Sequence, residues 1–119
     1  MGTAEQAYFE RNRKGFEGDT ILRDKVKAIV KKHRIDLIIE TGTYLGSTTK
    51  VMAEWVDQVI TIESNIEYIA QAMQYLANDI NVHNVHGDSA KVLKDYILPN
   101  RNTLFLLDAH WHDACPLLD

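Results

Sequence analysis

The stretch that most constrains the fold is Leu37–Thr49, with the sequence LIIETGTYLGSTT. An apolar run ends in an acid, a turn with two glycines follows, and small hydroxyl residues then favour the start of a helix. This order is typical of a nucleotide-binding unit, because glycine lets the backbone approach a ligand closely. The spacing from Glu40 through Gly42 to Gly46 is E-x-G-x-x-x-G. Tyr44 stands where the dinucleotide motif G-x-G-x-x-G has its middle glycine.

The rest of the chain alternates predicted helices and strands. Short apolar runs predict strands at Ile35–Glu40, Gln58–Glu63, Val82–Val85 and Thr103–Leu107. Helical periodicity predicts helices at 20–33, 47–55 and 66–77, and a last one that contains 92–97. Strands that alternate with helices imply βαβ crossovers and a parallel sheet. The predicted fold class is therefore α/β, a Rossmann-like doubly wound parallel sheet.

Two of the predicted helices have an apolar face that we expect to pack on the sheet. In helix 20–33 this face comprises Ile21, Leu22, Val26, Ile29 and Val30. In the helix that Asn65 caps it comprises Ile66, Ile69, Ala70, Met73, Leu76 and Ala77. Residues 1–19 are predicted to form an N-terminal arm or a short helix, which leaves 20–119 as one domain.

Composition narrows the class of protein. The chain has 119 residues, which suffice for one small domain, and its net charge of −4 argues against a nucleic-acid partner. It has no apolar run of the roughly 20 residues that a membrane span needs, and its first residues lack the apolar core of a secretory signal, so we expect neither a secretory signal nor a membrane partner. The basic run Lys25–Arg34 is interpreted as a solvated helix face. A single cysteine, Cys115, excludes an internal disulfide and fits a reducing cytoplasm.

Acidic or polar residues follow three of the predicted strands, where an open α/β sheet binds its ligands. An acid after the second strand, Glu63, can accept both hydroxyls of a ribose. An acid after the first, Glu40, can orient the loop or hold an ammonium group, and Asp88 or Ser89 can contact an adenine edge. The alternative is that Glu63 and Asp88 only cap the helices that follow them. Their coincidence with a glycine turn favours a ligand site.

Four segments resemble the class I S-adenosylmethionine-dependent methyltransferases, in the small O-methyltransferase branch that includes catechol O-methyltransferase. They are ETGTYLGST (40–48), TIESN (61–65), GDS (87–89) and FLLDAHWHD (105–113). The first two are specific together, because that branch also has a tyrosine between its glycines and an acid at the end of the second strand. The resemblance covers Leu37–Asp113, about two-thirds of the chain.

The resemblance implies S-adenosylmethionine as cofactor and O-methylation of a small hydroxylated substrate. By this resemblance Glu63 binds the ribose, and Ser89, with Asp88 beside it, binds the adenine. The residues implied to surround the methionine part are Glu40, Gly42, Tyr44 and Thr48, with Gly46 in the same turn. Methyl transfer from a sulfonium needs mainly positioning and deprotonation of the substrate.

The segment Asp108–Cys115, DAHWHDAC, is the second predicted site. In the resembling branch the corresponding aspartate lies beneath the methyl group and holds Mg²⁺, which implies Asp108 as a catalytic residue and metal ligand. A lysine shortly after it is the base in that branch, and here His112 stands near that position. A histidine with a pKa near ~6.5 can serve as a base, or it can be an exposed loop residue. A Zn²⁺ site from His110, His112 and Cys115 matches no common structural spacing.

The resembling fold has seven strands, and this sequence predicts four. The strand Thr103–Leu107 is then an open apolar edge, which natural proteins rarely leave uncovered. We expect either that the chain is the N-terminal part of a longer protein or that a second copy covers the edge as a homodimer. Three functions follow: an O-methyltransferase, a cofactor-binding half-domain without turnover, or a nucleotide-binding domain of another class.

Overall fold

The computed structural model describes residues 15–107, which form a parallel sheet with helices on both faces. The strands are β1 Leu37–Thr41, β2 Gln58–Glu63, β3 Val82–His86 and β4 Thr103–Leu107. The helices are α1 Thr20–Lys32, α2 Ser47–Ala53, α3 Ile66–Tyr75 and α4 Ser89–Val92, and 3₁₀ turns span Phe16–Gly18 and Leu93–Tyr96. The predicted α/β class and its order of elements are confirmed.

The order of the strands is β3-β2-β1-β4, and every neighbouring pair is parallel. The chain moves outward from β1 to β3 and then returns to add β4 on the other side of β1. Beside β1 the direction of winding therefore reverses, and in open α/β sheets ligands bind at the carboxyl ends of the strands at such a point. The predicted doubly wound topology is confirmed.

The two faces of the sheet carry separate apolar cores. On one face α1 and α2 pack on the sheet through Phe16, Val26, Val30, Ile38, Met52, Ala53 and Val59. On the other, α4 and the turn after it cover Leu37, Ile39, Ile60 and Ile62. All five residues of β1 are buried, because both faces of this central strand are covered.

The predicted apolar face of α1 was too wide. Val26 and Val30 are buried, but Ile21, Leu22 and Ile29 are 69%, 44% and 42% exposed. The two buried residues are one helical turn apart, so α1 touches the core along a single i, i+4 line. The start of α1 was predicted correctly, since the Asp19 side chain accepts the N–H of Leu22.

The buried face of helix α3 is also narrower than its predicted apolar face. Ile69, Ala72 and Leu76 are buried along it, whereas Ile66 and Met73 are 60% and 53% exposed. At its C-terminal end Lys50 of α2 forms an ion pair with Asp79, with 2.7 Å between Nζ and Oδ2, and lies 5.0 Å from the centre of the Tyr75 ring. Burial raises the pKa of Tyr75, Lys50 partly opposes this shift, and Asp79 adds to it.

Strand β4 lies at an edge of the sheet. Within residues 15–107 it pairs with β1 alone, and its Phe105 and Leu107 are 39% and 43% exposed on the same side. At the amino end of the sheet Arg101 ties β1, β2 and β4 together, because its guanidinium donates to Asp36 at 3.0 Å and to Gln58 at 3.2 Å. No helix in the described part of the chain is long and apolar enough to cross a membrane.

Candidate functional site

The turn after β1, residues 42–46 (the glycine loop), has an unusual backbone. Gly42, Tyr44 and Gly46 have φ angles of 83°, 51° and 93°. The left-handed region costs glycine nothing, but for a residue with a Cβ it costs roughly 1 kcal/mol or more. Tyr44 therefore needs neighbours that hold it in this conformation.

Glu63 is one of these neighbours, and it joins the glycine loop to α3. Its Oε1 accepts the N–H of Tyr44 at 2.8 Å, and its Oε2 accepts the N–H of Asn65 at 3.0 Å. Asn65 in turn caps α3 by accepting the N–H groups of Glu67 and Tyr68. Because a carboxylate oxygen can accept two hydrogen bonds, each oxygen of Glu63 retains capacity for one more donor. The loop contact and the ribose role are therefore compatible.

Glu40 lies beneath the glycine loop. It is 1% exposed, and the hydroxyls of Thr61 and Thr49 both donate to its Oε1, at 2.7 Å and 2.5 Å. The hydroxyls of Thr61 and Thr43 are 2.6 Å apart. We call Glu40, Thr43, Thr49 and Thr61 the buried threonine cluster. Of the two roles that the sequence left open for Glu40, this geometry favours orienting the loop, while contact with an ammonium group stays a prediction.

Two other predicted cofactor residues have partners within the fold. A Cβ on Gly46 would lie 3.0 Å from the side chain of Leu76, so this glycine allows α3 to pack against the loop. The hydroxyl of Thr48 accepts the N–H of Phe16 at 2.7 Å and so attaches the N-terminal turn to α2. Contact of Gly46 and Thr48 with a cofactor remains a prediction.

The turn after β3 brings the third predicted element to the same edge. The N–H of Gly87 donates to the backbone oxygen of Glu63 at 3.0 Å, so this turn begins next to Glu63. Asp88 caps α4 by accepting the N–H of Ala90 at 3.0 Å, and Ser89 is the first residue of that helix. The capping alternative for Asp88 is what the geometry shows, and its contact with adenine stays a prediction.

An aromatic pair lies beside Glu63. Tyr44 of the loop meets Tyr68 of α3 edge to face, with 4.6 Å between the ring centres. Edge-to-face pairs of this kind contribute about 0.5–1.5 kcal/mol beyond burial of their area. Tyr68 is 38% exposed, so the pair is partly accessible to solvent. The sequence pattern did not link Tyr68 to the loop.

Sequence reasoning also missed Thr43, Thr49 and Thr61. One signal was available for Thr61, because it is a polar residue inside the apolar run VITIE and lies two positions before Glu63. Strand alternation puts such residues on one face. Its partner across the sheet could not be named until the register of β1 and β2 was known.

The predicted catalytic pair and metal ligand, Asp108 and His112, lie outside the described residues, as does the rest of Asp108–Cys115. Among residues 15–107 no group of three or more His, Cys, Asp or Glu side chains is arranged to hold a metal ion. A Mg²⁺ site at Asp108 therefore stays a prediction.

No protein-family model and no curated protein sequence matches the chain. Solved structures do match: a protein described as a caffeoyl-CoA O-methyltransferase of Staphylococcus aureus is 26% identical, with a TM-score of 0.58 over 64% of this chain and 39% of its own. The fold is that of the class I S-adenosylmethionine-dependent methyltransferases.

Two further O-methyltransferases share this methyltransferase fold. TomG of Streptomyces achromogenes, solved with S-adenosylmethionine, is 20% identical, with a TM-score of 0.61 over 70% of this chain and 41% of its own. An enzyme of Bacillus cereus, solved with S-adenosylhomocysteine, is 17% identical, with a TM-score of 0.59 over 92% of this chain and 46% of its own. The resemblance to small O-methyltransferases is confirmed, and this chain spans less than half the length of each of the three.

Proposed function

We propose that this chain binds S-adenosylmethionine at the carboxyl edge of its sheet and functions as an O-methyltransferase. The observation that carries the proposal is the position of Glu63. It lies 8% exposed at the end of β2, in contact with the glycine loop and beside the turn at Gly87. Its two oxygens each retain one acceptor site, which fits the two neighbouring hydroxyls of a ribose.

The proposed contacts with the rest of the cofactor come from the glycine loop and from the turn after β3. Gly42 and Tyr44 of the loop would face the methionine part, and Asp88 and Ser89, which follow Gly87 in that turn, would face the adenine. When bound, the cofactor supplies an electrophilic methyl group on a sulfonium. The chain's own residues would hold the cofactor in one orientation. Such positioning provides a large share of the rate acceleration in a reaction between two bound molecules.

The finer proposal is O-methylation of a small hydroxylated molecule in the cytoplasm. An in-line transfer to oxygen needs a base for the substrate hydroxyl, which is the role proposed for His112, with Asp108 as ligand of a Mg²⁺ ion. The support for these two roles is the resemblance of FLLDAHWHD to the O-methyltransferase branch.

A second function is supported by the edge strand. Within residues 15–107, Phe105 and Leu107 of β4 are exposed and β4 pairs with β1 alone, and an apolar edge strand is a surface on which another strand can pair. The chain would then be a cofactor-binding half-domain that associates with a second copy and does not complete the reaction.

Calorimetric titration with S-adenosylhomocysteine, and separately with NAD, tests the cofactor. We expect saturable heat with the former and none with the latter, because Tyr44 replaces the glycine that a pyrophosphate needs. Binding of NAD alone would contradict the proposal. A methyl-transfer screen against hydroxylated small molecules, with and without Mg²⁺, then separates the enzyme from the half-domain.

A further inference from the structure

Thr61 is a polar residue in the middle of an apolar strand. It is 0% exposed, lies between Ile60 and Ile62 on β2, and is the register partner of Glu40 on β1. A shift of one residue between these strands would place an isoleucine beside Glu40. We propose that Thr61 is a positioning residue for the cofactor, through a relay of hydrogen bonds that joins Glu40 to the glycine loop. This inference rests on the proposed function.

The relay has one direction, because a hydroxyl carries a single hydrogen. Thr61 donates that hydrogen to Oε1 of Glu40 at 2.7 Å. In its 2.6 Å contact with Thr43, Thr61 is therefore the acceptor, and the Thr43 hydroxyl is the donor. A hydrogen bond donated to a carboxylate is stronger than one between neutral groups. The bond to Glu40 therefore polarises the Thr61 hydroxyl and strengthens the bond that it accepts from Thr43. Glu40 thus fixes the direction of both threonine hydroxyls.

The relay acts on the most constrained part of the loop. Thr43 lies between Gly42 and Tyr44, whose φ angles of 83° and 51° are both left-handed. For Tyr44, which has a Cβ, this conformation persists only where the surroundings over-determine it. The other two ties between the loop and β2 are made by backbone N–H groups of Gly42 and Tyr44. The contact at Thr43 joins two side-chain hydroxyls, so a substitution can remove it without removing the Glu63 carboxylate.

Glu40 therefore affects the cofactor without needing to touch it. At 1% exposure its carboxylate lies under the loop, and the relay transmits its position to the backbone that faces the ligand. Three successive residues of β2, at 61–63, hold three successive residues of the loop, at 42–44. Removing the Thr61 hydroxyl, which lies between the other two groups of the relay, would leave Glu40 and Thr43 each with one hydrogen-bond partner fewer.

The substitution Thr61→Val tests the relay, because it exchanges the hydroxyl for a methyl group of similar size. We expect the Kd of S-adenosylhomocysteine to rise about tenfold, and Thr61→Ser to restore it to within about threefold of wild type. Thr103→Val is the matched control, since the Thr103 hydroxyl is buried at the amino end of β4 with no hydrogen-bond partner among the described residues. Wild-type affinity in Thr61→Val, or an equal loss in Thr61→Ser, would overturn the proposal.

Hydrogen exchange in the ligand-free chain separates this inference from the proposed function. The amides of Gly42 and Tyr44 should exchange about tenfold faster in Thr61→Val and at the wild-type rate in Thr61→Ser. If the wild type binds no S-adenosylhomocysteine, the proposed function fails, and the exchange rates still decide the relay. Should Thr61→Val not fold, Thr43→Val removes the donor alone and is expected to give the same changes. Unchanged exchange in the folded variant would overturn the relay.

Discussion

At the scale of single residues, Glu63 makes two hydrogen bonds within the fold and retains acceptor sites for a ligand. It accepts one backbone N–H from the glycine loop and one from the start of α3, and both oxygens keep an acceptor site. A carboxylate in such a position is preorganised, because its orientation is fixed before any ligand arrives. This is why a side chain that also serves the fold remains suited to binding.

Glu63→Ala is expected to weaken the binding of S-adenosylhomocysteine by about tenfold or more, because it removes the proposed acceptor for both ribose hydroxyls. Isothermal calorimetry measures the change. Glu67→Ala is the control, since Glu67 is an exposed acid on the neighbouring helix. Equal affinities of Glu63→Ala and wild type would remove Glu63 from the site.

Thr41 is a buried residue whose substitution should stabilise the fold. It is 0% exposed, and its hydroxyl has no hydrogen-bond partner within the described part of the chain. A buried polar group without a partner costs about 1–3 kcal/mol, so Thr41→Val should raise the free energy of unfolding by about 1 kcal/mol. Urea denaturation measures this, and a loss of stability would show that the Thr41 hydroxyl contributes to the stability of the fold.

At the scale of elements, α2 and α3 meet through the ion pair of Lys50 with Asp79 and the ring of Tyr75. Burial raises the pKa of Tyr75 above its ordinary value, with Asp79 adding to the shift and Lys50 opposing it. A raised pKa in the folded state means that the neutral phenol stabilises the fold. That contribution is complete below about pH 10 and is lost as the pH rises through the folded-state pKa.

The measurement is the urea midpoint between about pH 8 and pH 11, across the ordinary tyrosine pKa. We expect the wild type to lose stability more steeply than Tyr75→Phe over this range, since phenylalanine has no proton to release. Parallel curves for the two proteins would show that Tyr75 titrates alike in the folded and unfolded states.

The edge strand β4 gives the prediction on assembly. Its exposed Phe105 and Leu107 favour pairing with a second copy, so sedimentation at micromolar concentration should detect a dimer. Phe105→Lys should shift the population toward monomer, because an edge charge opposes strand pairing. A wild-type chain that stays monomeric would argue against self-association through β4.

At the scale of the whole molecule, the order of helices and strands was predictable from the sequence, and the contacts of the buried threonine cluster were not. Strand and helix periodicities are local, so they predicted β2 at Gln58–Glu63 and β4 at Thr103–Leu107 with their observed bounds. The helix faces were predicted too wide, because the sequence shows which residues are apolar and not how much sheet lies beneath them. The exposure of Ile21 and Met73 illustrates this.

The polar contacts of the site depend on register, which local pattern does not contain. The sequence predicted that Glu40 and Glu63 meet at one edge, because parallel strands place their carboxyl ends together. It did not predict that Thr61 would stand directly beside Glu40, because that follows only from the pairing of β1 with β2. The predicted roles of Asp108 and His112 depend on residues beyond 107 and stay predictions.

We propose that S-adenosylmethionine binds at the carboxyl edge of this sheet. Titration of the ¹⁵N-labelled chain with S-adenosylhomocysteine, followed by amide NMR shifts, tests both binding and location. We expect saturable shifts at Gly42, Tyr44 and Glu63, with the amides of Asp36 and Arg101 at the amino end of the sheet unchanged. Absence of shifts at saturating ligand, or shifts confined to the amino end, would contradict this proposal.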